Sequence, residues 1–237
     1  MLEKYFNNRL LILYLIPFIL GSLTIFSFQP FNFLFINFLI LPLFFYLITY
    51  INKKSKGVYR KKPYKKNFFL YGLSFGFGFY LSGVSWIVNS LTFDENFKIF
   101  IPIALIFIPL FLGLFMAFTI LFIGPHLKFS FSSIALFSTS LAFSDYLRAK
   151  LFTGFPWNLW VYSSSTINEF LQILNIVGLY SLNLLVITLY TLPIIFFLSL
   201  SKLRKLIIFT TTVFLIFVLF IFGNYEINKN KKNLDVV

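Results

Sequence analysis

Long apolar runs separated by short polar breaks organise this chain from residue 10 onward. Each run is continuous, and most reach the roughly 20 residues that a helix needs to cross a bilayer core. A transmembrane barrel needs strands of about ten residues with alternating polarity, and these runs do not alternate. The pattern predicts an all-α, polytopic membrane helix bundle of about seven transmembrane helices. They cover residues 10–28, 31–51, 67–91, 99–123, 129–147, 170–200 and 206–223.

The breaks have local causes. Gln29-Pro30 ends the first run, because proline disfavours helix in the residue before it. Asp94-Glu95 turns the chain after the third run, and Gly124-Pro125-His126 after the fourth. Residues 1–223 read as one transmembrane domain, and residues 224–237 (NYEINKNKKNLDVV) as a polar extracytoplasmic tail. A cleaved signal peptide is the alternative for the first run. No small-x-small cleavage site follows it, so it reads as a retained anchor.

Composition narrows the class. Only 11% of residues are charged and 59% are hydrophobic, against about 25% charged in soluble domains. A net charge of +13 invites a nucleic-acid reading, but its distribution favours topology. Lys53, Lys54, Lys56, Arg60, Lys61, Lys62, Lys65 and Lys66 crowd into residues 52–66, and such loops stay cytoplasmic. A cytoplasmic N-terminus then places Lys4, Arg9, Lys128, Lys202, Arg204 and Lys205 on the same inner side. Lys98, Arg148, Lys150, Lys229, Lys231 and Lys232 fall outside. No nucleic-acid partner is expected. The chain has no Cys and one His, His126, so a thiolate nucleophile, a disulfide and a multi-His metal site are excluded within it. No cofactor, metal or catalytic residue is assigned. Ser163, Ser164 and Ser165 have no His nearby in sequence, and no phosphate-cradling Gly loop is present.

The most unusual stretch is residues 151–162, LFTGFPWNLWVY. It follows Asp145 and Arg148, whose spacing of three puts them on one helix face. Ionisable groups near a bilayer are costly and are paired or functional. A mutual ion pair that snorkels to the interface is one reading, and a grip on a lipid phosphate or substrate is the other. Phe155, Pro156 and Trp157 form a Gly/Pro-shaped aromatic loop suited to holding a lipid, or else an aromatic belt. Trp86 ends a run containing Gly72, Gly76, Gly78 and Gly83, where small residues at i and i+4 favour close helix packing. Gln172, Asn175 and Asn183 read as interhelical hydrogen-bond partners, and His126 as a solvated loop residue. Trp86, Asp145, Arg148, Phe155, Pro156 and Trp157 are the candidate substrate-binding residues.

These residues carry a resemblance. Asp145-Tyr-Leu-Arg148 followed by Phe152-Thr-Gly-Phe-Pro-Trp157 resembles a signature of bacterial apolipoprotein N-acyltransferases, Glu-x-Leu-Arg and then Thr-Gly-Phe-Pro-Trp. Phe26-Ser-Phe-Gln-Pro-Phe-Asn32 resembles that family's break between its first two spans. Gly76-Phe-Gly-Phe-Tyr-Leu-Ser-Gly-Val-Ser-Trp86 resembles its third span. The resemblance implies transfer of an acyl chain from a phospholipid donor to the N-terminal lipidated cysteine of a diacylglyceryl-modified apolipoprotein. It also implies the bacterial cytoplasmic (inner) membrane. Family members use a Glu, Lys and Cys in a nitrilase-like domain after the seventh span, followed by an eighth span. Here the sequence reaches Leu234-Asp-Val-Val237, which resembles the start of that domain. The domain, its Cys and the eighth span are not among these 237 residues. Asp145 stands where the family has Glu. A split enzyme with a separate catalytic chain, a non-catalytic membrane scaffold and a small transporter are the alternatives. A transporter needs broken helices near the midplane, whereas the breaks here lie near the membrane surfaces.

Overall fold

The computed structural model describes residues 9–58, 64–152 and 154–234. Lys4, Arg60, Lys61, Lys62, Thr153 and residues 235–237 lie outside the described residues. Those described form a helical bundle without strands. Helix α1 covers Leu11–Ser27 and closes in a 3-10 turn over Thr24–Ser27. Next come α2 (Asn37–Val58), α3 (Tyr64–Val84), α4 (Ile101–Ile123) and α5 (Phe131–Lys150). Short helices α6 (Asn168–Leu171) and α7 (Leu174–Val177) lead to α8 (Leu179–Thr191) and α9 (Lys202–Leu234).

Five stretches are long and apolar enough to cross a membrane: Leu34–Lys54, Lys65–Thr92, Glu95–His126, Leu179–Phe197 and Lys202–Asn230. Leu11–Ser27 is a shorter apolar helix. The protein is thus a polytopic membrane helix bundle. Helix α5 is too polar for that set, and five of its polar side chains point inward. Ser133, Ser138, Ser144, Asp145 and Arg148 are buried on it beside Ile134, Phe137 and Leu141. It forms the polar spine of the bundle, a placement that keeps Asp145 and Arg148 away from lipid.

Packing in lipid relies on close approach of backbones, since apolar burial alone gives helices little reason to associate there. Two crossings use this. A Cβ on Gly76 of α3 would lie 2.8 Å from the Gly113 Cα of α4, and one on Gly72 would lie 2.8 Å from the Met116 carbonyl oxygen. On the other side of α3, a Cβ on Gly78 would collide with the Phe18 carbonyl oxygen of α1. One on Gly21 of α1 would collide with the Phe75 carbonyl oxygen. The expected helix packing through Gly72 and Gly76 is therefore present, and Gly78 adds a second contact. Aromatic rings fill the centre: Phe44 stacks on Phe75 with ring centroids 3.9 Å apart and meets Phe137 edge to face.

Two elements differ from the sequence reading. The run over 170–200 is not one span. Gly178 adopts φ +76°, a conformation that ends a helix and favours glycine, so α6 and α7 form a surface approach and the apolar helix starts at Leu179. Gln172 accordingly bonds within this approach, donating to the Asn168 carbonyl at 3.3 Å, and among the described residues it makes no interhelical bond. At the other end, the helix of the seventh run extends past residue 223, so residues 224–234 of the polar tail are helical. Of the strand-like piece Leu234–Val237, only Leu234 is described. His126 lies exposed in its turn, as expected.

Candidate functional site

The last turn of α5 carries the two charges that the sequence singles out. Arg148 Nη2 donates to Asp145 Oδ1 at 3.1 Å, and each side chain is only 1% exposed. The expected pair exists, but it lies inside the bundle instead of snorkelling to the interface. Removing two charges from water costs several kcal/mol per ion unless further hydrogen bonds satisfy them. Those bonds are present. Asn183 of α8 donates from Nδ2 to Asp145 Oδ2 at 2.9 Å, while its Oδ1 accepts from the Val161 backbone N–H at 3.0 Å. The Arg148 guanidinium lies over the Tyr80 ring of α3, 5.2 Å from its centroid.

Nη1 of the guanidinium holds the aromatic loop, while the buried Nε has no hydrogen-bond partner among the described residues. Arg148 Nη1 donates to the Phe155 carbonyl at 2.5 Å and to the Trp157 carbonyl at 2.7 Å. The Phe155 N–H returns a bond to the Arg148 carbonyl at 3.1 Å. The loop doubles back on α5 through positive φ values at Phe152 (55°), Gly154 (74°) and Asn158 (56°). Gly154 meets that need without steric cost, whereas Phe152 and Asn158 hold it against their preference. Asn158 also seats its amide where a Cβ on Gly83 of α3 would be. The loop is therefore fixed to α3, α5 and α8 together.

This clamp sorts the candidate residues. Trp157 and Pro156 are exposed and Phe155 is half-buried. Trp86, at the end of α3, meets Trp157 edge to face with centroids 5.5 Å apart. The two indoles are 49% and 51% exposed, so together they form an aromatic rim with one exposed and one buried side. The Trp86 N–H donates to the Gly83 carbonyl at 3.2 Å, which fixes its ring. Trp160, by contrast, is fully buried and stacks on Phe79 at 5.1 Å. Asp145 and Arg148 lie beneath the rim and shape it.

Tyr80 and Asn183 complete the clamp. Asn183 was legible only as a hydrogen-bond partner, since nothing in sequence ties it to Asp145. Tyr80 carried no sequence signal beyond its place in the third run. Ser163 donates to the Trp160 carbonyl at 2.7 Å and so accepts from the Tyr190 hydroxyl at 2.7 Å, which makes it a structural hydroxyl. Partial burial, and then the neighbouring Tyr180, push the Tyr162 phenol above its ordinary pKa, so it stays protonated at neutral pH. The described site pairs no nucleophile with a base. It offers a hydrogen-bonded loop backbone and two indole faces, and indoles favour the water–lipid boundary.

The model of the apolipoprotein N-acyltransferase N-terminal domain family matches residues 20–192, the segment that holds helices α2 to α8 and the clamp. The chain belongs to this family. Among similar proteins is an apolipoprotein N-acyltransferase of Sinorhizobium medicae, 28% identical over 180 residues, which cover 75% of this chain and 33% of that protein. Another, of Brucella suis, is 29% identical over 182 residues, covering 76% and 34%. One of Rickettsia bellii is 30% identical over 166 residues, covering 68% and 32%. The chain spans about a third of the length of the curated relatives it matches. Within this family, the clamp lies in the N-terminal domain.

Proposed function

We propose that this chain is the membrane part of an enzyme that transfers an acyl chain from a phospholipid to the N-terminal, diacylglyceryl-modified cysteine of apolipoproteins in the bacterial inner membrane. The match over residues 20–192 to the N-terminal domain of that enzyme family carries the reading. Trp86, Phe155, Pro156 and Trp157 form the substrate-side surface, and Asp145 and Arg148 hold it in shape from beneath. The crowding of basic residues in 52–66 supports a cytoplasmic N-terminus, which sets the aromatic rim at the outer face. These residues contain no cysteine. The thioester chemistry implied by the resemblance therefore comes from residues outside them, on the same polypeptide or on a separate catalytic chain.

Loss of the gene in its own cell tests this directly. Mass spectrometry of lipoprotein N-termini is expected to show the third acyl chain missing, and its return on complementation with the intact gene. Lipoproteins that keep three acyl chains after gene loss would contradict the proposal.

A further inference from the structure

Helices α4 and α5 lie close but do not fill the space between them. A groove of about 640 Å³ opens sideways there, lined by α4 from Phe111 to Ile123 and by α5 from Thr139 to Leu151. At 1.5 Å rise per residue, each wall is about 18 Å long. One leaflet of a bilayer core is about 15 Å deep, half of roughly 30 Å. Two of the four hydroxyls that line the groove are turned to backbone: Ser144 donates to the Phe115 carbonyl at 3.2 Å and Thr119 to the same oxygen at 2.8 Å. Apart from Thr139 and Ser140 on α5, the walls present apolar aliphatic and phenyl side chains.

The upper end of the groove meets the aromatic loop. Phe152, 79% exposed and held at φ +55°, packs edge to face on Phe111 with centroids 5.4 Å apart. Lys150 is exposed on the last turn of α5, three residues on from Leu147 of the groove wall. It puts a cation at the mouth, where the headgroup of a lipid seated in the groove would lie. The other grooves described, along α9, do not adjoin this loop.

We propose that the α4–α5 groove is a seat for one acyl chain of a phospholipid, with its phosphate level with Lys150 and its glycerol end delivered to the aromatic rim. The inference deepens the proposed function by naming where the acyl donor waits.

The test places the full chain in nanodiscs doped with a phosphatidylethanolamine that bears a diazirine on its acyl chain. After illumination, adducts are mapped by mass spectrometry. Phe118, Ser140 and Phe143 in the groove are expected to carry several times the adduct yield of Phe214 and Leu215. Those two are exposed on α9 and line none of the three grooves described. Ser140→Trp, which fills the groove, should bring its yield down to the α9 level and leave α9 unchanged. Equal yields at both places in the unaltered chain show only surrounding lipid and overturn the proposal. So does a Ser140→Trp variant that labels as before. The readout needs no acyl transfer. A labelled groove in a chain whose loss leaves lipoproteins unchanged overturns the enzyme reading alone, and the converse result overturns the groove alone.

Discussion

Arg148→Ala is expected to destabilise the bundle by about 3–5 kcal/mol, the cost of breaking a buried ion pair from one side. The loss has three sources. Asp145 remains buried at 1% exposure, with only Asn183 to satisfy it. The Phe155 and Trp157 carbonyls lose their donor. The Tyr80 ring loses the cation above it. Arg148→Lys should recover little, because an ammonium cannot fork to a carboxylate and two carbonyls in fixed directions. The Asp145→Asn/Arg148→Met pair should cost less than the two single changes added together, since neither charge is then stranded. Unfolding in detergent micelles checks the stabilities. Tryptophan fluorescence should shift to the red in Arg148→Ala, as Trp157 is released to water. A loss within about 0.5 kcal/mol, the range for ordinary surface changes, would mean that the guanidinium does not hold the loop.

Gly78→Leu is expected to cost about 3 kcal/mol or more, at the upper end of overpacking penalties. A Cβ there meets the Phe18 carbonyl oxygen, and backbone cannot swing aside as a side-chain tip can. Helix α1 must move away from α3, which separates Gly21 from the Phe75 carbonyl and breaks the Ser22 hydroxyl bond to the Gly78 carbonyl. Ser82→Ala, one turn further along α3, removes only a bond to that same carbonyl within its own helix. It should stay within about 1 kcal/mol of the unaltered chain. Unfolding midpoints of the two variants, measured side by side, decide the point. A stable Gly78→Leu chain would show that α1 and α3 do not cross this closely.

The helix-forming runs were legible because a continuous apolar stretch of about 20 residues satisfies its own backbone in lipid only as a helix. The Asp145–Arg148 pair was legible from helix periodicity, and the Gly72–Gly76 contact from small-residue spacing. What the guanidinium does was not. Its carbonyl partners lie seven and nine residues on, in a loop whose path depends on three positive φ values. Asn183 reaches Asp145 from 38 positions away, a distance that no local pattern encodes. The break at Gly178 was missed because one glycine inside an apolar run is ordinarily tolerated, and only its φ of +76° shows that the helix stops there. The polar end of α9 read as a tail because it lacks an apolar face. Its helix continues on local bonds, including Asn228 to Asn224 at 3.2 Å.

The central claim is that the rim of Trp86 and Trp157 engages lipid substrate for acyl transfer. The direct measurement replaces both indoles (Trp86→Ala/Trp157→Ala) in the cell's own gene and quantifies triacylated lipoprotein N-termini by mass spectrometry. Both side chains are half exposed, so the fold should survive, as an unchanged unfolding midpoint will show. The account predicts a rate of third-chain addition reduced roughly tenfold or more, which corresponds to about 1.4 kcal/mol of lost interaction. A variant that folds normally and acylates lipoproteins at the unaltered rate would contradict it.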